Sequence, residues 1–203
     1  MISMEPGVIV LAAGQASRMG SPKQLLQWRG QTLLRRLLVE IQEAELPQTV
    51  VVTGAFQHAV RAEARALLTD VVHNADWQVG MGSSIQCGLR YLLQRYPGLS
   101  AVLILLVDQP LVDRKHIGAF LSAIQQHPDK LLAAGYHDTV GVPALLPRAF
   151  FPALMTMPAD KGAKALFYRY RSDLQVLPCP QAAIDVDTPD DWEWLLRQYP
   201  NHS

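Results

Sequence analysis

The chain has little from which to build several kinds of protein. Its two cysteines, Cys87 and Cys179, provide neither a disulfide framework nor a zinc ligand set. Neither charge sign is in excess. Eighteen Lys and Arg balance eighteen Asp and Glu, so the sequence carries no electrostatic footprint for bulk nucleic acid or an anionic membrane. Long apolar runs are missing too. The longest, Ala101 to Val107, is far short of the roughly 20 residues a membrane span needs. The opening Met1-Ile2-Ser3-Met4-Glu5-Pro6 has no basic stretch followed by an apolar one, as a secretory signal would. Charged residues make up only 18% against 49% hydrophobic, which excludes a disordered chain. At 203 residues, the expectation is a single cytoplasmic domain, 1–203, with reduced thiols.

What is present alternates between β-branched runs and helical periods. Gly7-Val8-Ile9-Val10-Leu11-Ala12 reads as a strand buried on both faces. Leu33, Leu34, Leu37, Leu38 and Ile41 repeat at helical spacing behind Thr32, a suitable N-cap. Strands are expected at Thr49–Gly54, Asp70–His73 and Ala101–Val107. Helices are expected around Val60, Ala64, Leu67 and Leu68, around Ile85, Leu89, Leu92 and Leu93 behind Ser83 or Ser84, and from Asp113 to about Gln126. After Lys130 the rhythm loosens. Leu131–Ala134 and Val140–Leu146 read as strands, the second marked as an edge by Pro143. Gly162–Arg169 and Asp190–Arg197 read as helices around a strand at Leu174–Leu177. This order argues for an α/β three-layer sandwich on a mixed, mainly parallel sheet with right-handed crossovers.

The segment after the first strand, Leu11-Ala12-Ala13-Gly14-Gln15-Ala16-Ser17-Arg18-Met19-Gly20-Ser21-Pro22-Lys23, is neither a dinucleotide fingerprint nor a P-loop. Its small residues still let a ligand approach backbone N–H groups. Arg18 offers a fork for a polyphosphate and Lys23 a compact positive charge. The plain alternative is a glycine turn with two solvated basic side chains.

This segment resembles the L-A-[AG]-G-x-[SG]-x-R-M-G-x-x-K signature of the MobA-like nucleotidyltransferases, and within them the molybdenum cofactor cytidylyltransferase branch. The resemblance continues through His73-Asn74-Ala75-Asp76-Trp77-Gln78-Val79-Gly80-Met81-Gly82-Ser83-Ser84, Asp108-Gln109-Pro110, Gly141-Val142-Pro143, Asp160-Lys161-Gly162-Ala163 and Asp185-Val186-Asp187-Thr188-Pro189-Asp190-Asp191, in the family's order. It implies a Rossmann-like fold of the nucleotide-diphospho-sugar transferase type. It also implies transfer of CMP from CTP to a molybdopterin-type phosphate, with a molybdoenzyme as client.

By the same resemblance, Leu11, Ala12, Ala13, Gly14, Arg18 and Lys23 hold the nucleotide, and Gly82 and Ser84 recognise its base. Asp108 and Asp187 bind Mg²⁺, and Arg18, Lys23 and Asp108 carry catalysis. Ala rather than Gly at position 13 marks the CTP-using members. The residues alone leave other roles open. Asp108 serves equally as a loop cap, and Ser83 or Ser84 as a helix cap. Thr188, Asp190 and Asp191 suit a helix start, and Asp160 and Lys161 suit either a helix start or an acceptor contact. Asp185 competes with Asp187 as second ligand. Trp77 is either a lid or a packing residue, and Cys87 sits in a helix where packing fits better than nucleophilic chemistry. Two other functions remain: a nucleotidyltransferase with a different phosphate or sugar acceptor, and a non-catalytic cofactor-binding maturation factor. A dinucleotide-dependent oxidoreductase does not fit the glycine spacing.

Overall fold

The computed structural model describes residues 5–15 and 19–200. Arg18 therefore lies outside the described residues. The chain runs β1 (Pro6–Ala12), β2 (Gln27–Trp28), β3 (Gln31–Thr32), α1 (Leu33–Glu43), β4 (Thr49–Thr53), α2 (Gln57–Arg65), β5 (Asp70–His73), α3 (Met81–Arg95), β6 (Ala101–Leu106) and α4 (Arg114–Gln126). It continues with β7 (Leu131–Tyr136), β8 (Thr139–Pro147), α5 (Phe151–Thr156), α6 (Lys164–Arg169), β9 (Leu174–Pro178) and α7 (Pro189–Gln198).

Seven strands form one sheet in the order β5-β4-β1-β6-β8-β7-β9. β1, β4, β5 and β6 are mutually parallel, β8 is antiparallel to β6 and β7, and β9 is parallel to β7. The mixed, mainly parallel sheet expected from the sequence is the sheet observed. Side chains alternate along each strand, so β1 sends Val8, Val10 and Ala12 to one face and Ile9 and Leu11 to the other. β6 does the same with Leu103 and Leu105 against Val102 and Ile104. Helices α1, α2, α4 and α7 cover the first face, and α3, α5 and α6 the second. Each Leu, Ile or Val fully buried in this way contributes roughly 1.5–3 kcal/mol.

Local chemistry sets several boundaries as expected. Thr32 caps α1 by accepting from the Arg35 N–H. Asp113 caps α4 through the N–H groups of Lys115 and His116. Thr188 and Asp191 form a reciprocal capping box ahead of Pro189, the first residue of α7.

Four expectations are corrected. α2 ends at Arg65, and Leu68, at φ 55°, points outward with 96% exposure instead of joining the buried face. Pro143 lies in an interior strand rather than at an edge. The register between β7 and β8 shifts beside it, so that Ala133 pairs with Ala144 and Ala134 with Gly141, and the imide sits where the ladder needs no donor. α3 is capped by Gly80 at φ 142°, not by a serine; the Ser83 hydroxyl is turned back onto the Gly80 and Asp76 carbonyls. Finally, Asp160 and Lys161 precede α6 in a loop rather than opening it.

The β2–β3 hairpin was not anticipated. Its turn has Arg29 and Gly30 at positive φ, and its strands are too short to show periodicity. It buries Trp28, whose indole N–H donates to the Tyr199 carbonyl.

Candidate active site

The chain leaves β1 toward β4 and β5 on one side, whereas β6 lies on the other. The loops after β1 and β6 thus open at the point where the strand order reverses, at the carboxyl ends of parallel strands. A cleft of about 440 Å³ lies there. Leu11, Ala12, Ala13 and Gly14 line one wall, and Trp77, Gly80, Met81 and Ser84 line another. Lys23, Asp108, Asp185 and Asp187 also line it, with Gln24, Gln78, Leu106 and Val107.

The Lys23 ammonium forms ion pairs with Asp108 Oδ2 and, at 2.8 Å, with Asp187 Oδ1. Side-chain exposure is 14% for Lys23, 19% for Asp108 and 38% for Asp187, so Lys23 is withdrawn rather than solvated. Burial works to lower the Lys23 pKa, but Asp108 and then Asp187 outweigh it and hold the ammonium above its ordinary value. The backbone brings the two aspartates together: the Val186 N–H donates to the Asp108 carbonyl at 2.8 Å. Val186 is buried, so Asp185 and Asp187 on either side of it both reach the cleft. The Asp185 carboxyl, out at the lip, is pushed up by its loss of solvent, then by the charges of Asp108 and Asp187.

Two glutamines to which the sequence assigned no role fix this arrangement. Gln24 is buried, and its side-chain amide donates to the Ala12 carbonyl at 3.0 Å and the Gly14 carbonyl at 3.2 Å, pinning the glycine turn. Gln109 donates to the Val142 and Ala182 carbonyls at 3.1 and 2.8 Å, holding the segment before Asp185 against β8. A buried amide in a polar stretch has no periodic signature, so only Gln109, beside Asp108, carried any signal.

Close packing explains two glycines behind the cleft walls, Gly54 and Gly82. A Cβ on Gly54 would stand 2.3 Å from the Ala13 carbonyl oxygen and 2.7 Å from Trp77. A Cβ on Gly82 would stand 2.3 Å from the Lys161 carbonyl oxygen. Gly82 thus packs beneath the Pro158–Lys161 loop, while Ser84, two positions on, reaches the cleft. Trp77 is half-buried, both cleft wall and packing partner of Gly54. Cys87 lies beyond the cleft, and burial raises its thiol pKa, which disfavours the thiolate.

The donor set suits a hard divalent cation. Asp108 Oδ1 is buried without a partner, and three carboxylates against one ammonium leave the described part of the cleft floor net negative. A triphosphate entering such a floor needs added positive charge, and Mg²⁺ typically takes one or two carboxylates plus phosphate oxygens. Among the described residues no group of three or more His, Cys, Asp and Glu side chains forms an all-protein metal cage. Among the same residues no helix is long and apolar enough to cross a membrane.

Known proteins share this architecture. The family model for the MobA-like NTP transferase domain matches residues 8–174. The chain is 29% identical over 199 residues to the nicotine blue oxidoreductase of Paenarthrobacter nicotinovorans, covering 93% of this chain and 95% of that protein. Rv0371c from Mycobacterium tuberculosis H37Rv is 31% identical and superposes with a TM-score of 0.78, covering 96% of this chain and 99% of that one. Its manganese complex superposes at 0.74. The molybdopterin-guanine dinucleotide biosynthesis protein A of Archaeoglobus fulgidus shares the fold at a TM-score of 0.68 and 18% identity, over 93% of this chain and 95% of that one. The chain belongs to the MobA-like NTP transferase family.

Proposed function

We propose that the protein transfers CMP from CTP to the terminal phosphate of a molybdopterin-type acceptor and releases pyrophosphate. The observation that carries this reading is the Lys23, Asp108 and Asp187 cluster beside the glycine turn at the switch point of the sheet. A relative named as an oxidoreductase shows that family membership does not fix the reaction, so the reading rests on the cleft.

In this reading an acceptor phosphate oxygen attacks the α-phosphorus in line. One P–O bond forms, the α–β anhydride bond breaks, and its electron pair leaves with pyrophosphate. The acceptor oxygen is already ionised at neutral pH, so no general base is required. Asp108 and Asp187 would hold Mg²⁺, with Asp185 as the outer neighbour. The ion supplies charge neutralisation at the phosphates. Lys23 turns its ammonium toward the α-phosphate. The backbone of Leu11 to Gly14 takes the phosphates at close range, with Arg18 on the β- and γ-phosphates. Ala13 narrows the wall by one methyl group against a purine, and Ser84, with Gly82 beneath it, meets the base. A soluble cytoplasmic setting with a molybdoenzyme client is part of the same proposal.

Pyrophosphate release measured with each of the four NTPs, without acceptor, with molybdopterin and with a sugar phosphate, tests it. Release with CTP that depends on the acceptor is the expected result. Release with GTP alone, or with CTP and a sugar phosphate alone, overturns the assignment.

A further inference from the structure

We propose that the protein pairs with a second copy of itself through Leu68 and the apolar groove beside it, at the end of the sheet opposite the cleft. The proposal does not depend on which nucleotide the cleft binds.

Leu68 stands where a single chain has no use for it. The chain leaves α2 through a Schellman turn, in which the Leu68 N–H donates to the Arg65 carbonyl at 3.0 Å and the Thr69 N–H to the Ala64 carbonyl at 3.2 Å. The turn holds Leu68 in the left-handed region at φ 55°, where Gly or Asn is favoured and a bulky side chain is not. The chain leaves α1 in the same way at Glu45, φ 59°, but that side chain is at home in water. Leu68 is almost wholly exposed, so it serves neither the backbone nor the solvation of a monomer. A residue that breaks local rules without a local return points to a function.

Beside it lies a groove of about 460 Å³, between the α1–β4 and α2–β5 connections, lined by Leu38, Ile41, Leu46 and Leu67. It lies at the amino ends of β4 and β5, and β5 is the last strand on that side of the sheet. Leu68 lines both this groove and a neighbouring hollow that holds Arg61 and Arg65. Glu45 lines the groove itself. Among the described residues none of these three charges has an ion-pair partner. The patch therefore runs from a basic pair through an apolar knob and an apolar hole to an acidic residue.

Such a patch is complementary to itself. A two-fold axis between Leu68 and the groove seats each Leu68 in the groove of the other copy. The same operation sets Arg61 and Arg65 against the partner's Glu45. A partner of another kind would need only half of this arrangement. Both clefts, at the carboxyl ends of the strands, stay open.

Light scattering on a sizing column and sedimentation over a concentration series measure the assembly. Wild type is expected at twice the 22.5 kDa of one chain. Leu68→Asp, which would bury a charge in the apolar groove, is expected to weaken the dimer by about thirtyfold or more. Arg65→Glu and Glu45→Arg are each expected to weaken it, and the two together to restore part of it, because opposite charges then face each other again. Leu68→Asn suits the turn, and at a dilution where both proteins are monomers it is expected to melt no lower than wild type. A wild type that runs as a single chain at about 0.1 mM overturns the proposal. So does a Leu68→Asp protein that pairs as tightly as wild type. A monomeric Leu68→Asn protein that melts well below wild type places Leu68 in the packing of its own chain and overturns it too. Single charge reversals that weaken the dimer, with no recovery in the double variant, overturn the two-fold arrangement.

Discussion

Lys23 is held by two carboxylates from the second half of the chain, 85 and 164 positions away, which changes what its substitution should do. As a solvated loop cation it could be removed with little effect on stability, since surface changes usually stay within about 0.5 kcal/mol. In the cleft its loss leaves Asp108 and Asp187 facing each other without their shared counter-charge. Lys23→Met is therefore expected to destabilise the protein by about 1–3 kcal/mol in metal-free buffer, the range for losing charged hydrogen bonds. Added Mn²⁺ or Mg²⁺ should restore much of the melting temperature by replacing the missing positive charge. A melting temperature that equals wild type without metal would show that the ion pairs contribute nothing. Asp108→Asn tests the chemistry at the same cluster. It keeps the shape of the side chain and removes the charge, so pyrophosphate release should fall by at least about 10²-fold. Near-normal release at saturating Mg²⁺ would remove Asp108 from the reaction.

Among the elements, those with a strong period or a clear cap were legible in the sequence, and those set by tertiary contact were not. The leucine stripe behind Thr32 gave α1, and the seven-residue run at Ala101 gave the centre of the sheet, because burial on both faces leaves a continuous apolar signature. Pro143 misled because the rule for proline in strands concerns the missing donor, and a register shift satisfies that rule in the interior as well as an edge does. Ser83 misled because α3 already begins at Met81, which puts the serine inside the first turn and leaves the cap position to Gly80. Lys23, Asp108 and Asp187 were each legible as ligand residues, but their mutual bonds, made across 85 and 164 positions, had no local trace.

Asp113 at the start of α4 gives a test at this scale. Burial works to raise its carboxyl, but the His116 and Lys115 N–H groups and the nearby His116 ring outweigh that and hold it below the ordinary value of 3.8. A carboxyl lowered in the folded state binds fewer protons than in the unfolded chain. Its contribution is therefore complete above the ordinary value and is lost as pH falls through the folded value. Asp113→Ala is expected to cost about 1 kcal/mol at neutral pH. The difference in melting temperature between wild type and Asp113→Ala should shrink as the pH is taken below about 4. A difference that stays constant from neutral to acid pH would show that the ionised cap is not its source.

Over the whole molecule, the cleft exists only when four distant parts of the chain are folded together. The glycine turn and Lys23 come from the first thirty residues, Trp77 to Ser84 from the start of α3 and the loop before it, Asp108 from the loop after β6, and Asp185 and Asp187 from the approach to α7. The tie between the Val186 N–H and the Asp108 carbonyl, and that from Gln109 to Ala182, join the last part to the sheet. An unfolded chain therefore has no partial site to offer, and a nucleotide bound here stabilises the native state by mass action alone. With Mg²⁺ present and CTP at about 100 times its dissociation constant, the gain should be about 2.7 kcal/mol, which is several degrees of melting temperature for a chain of this size. CTP without divalent cation should give much less, because the triphosphate then meets a net negative floor. GTP should give less than CTP at equal concentration. Thermal unfolding followed by intrinsic fluorescence across a series of nucleotide and Mg²⁺ concentrations measures all three. A shift that is the same with and without Mg²⁺ would mean that the nucleotide binds away from the aspartates, and the candidate site would have to be abandoned.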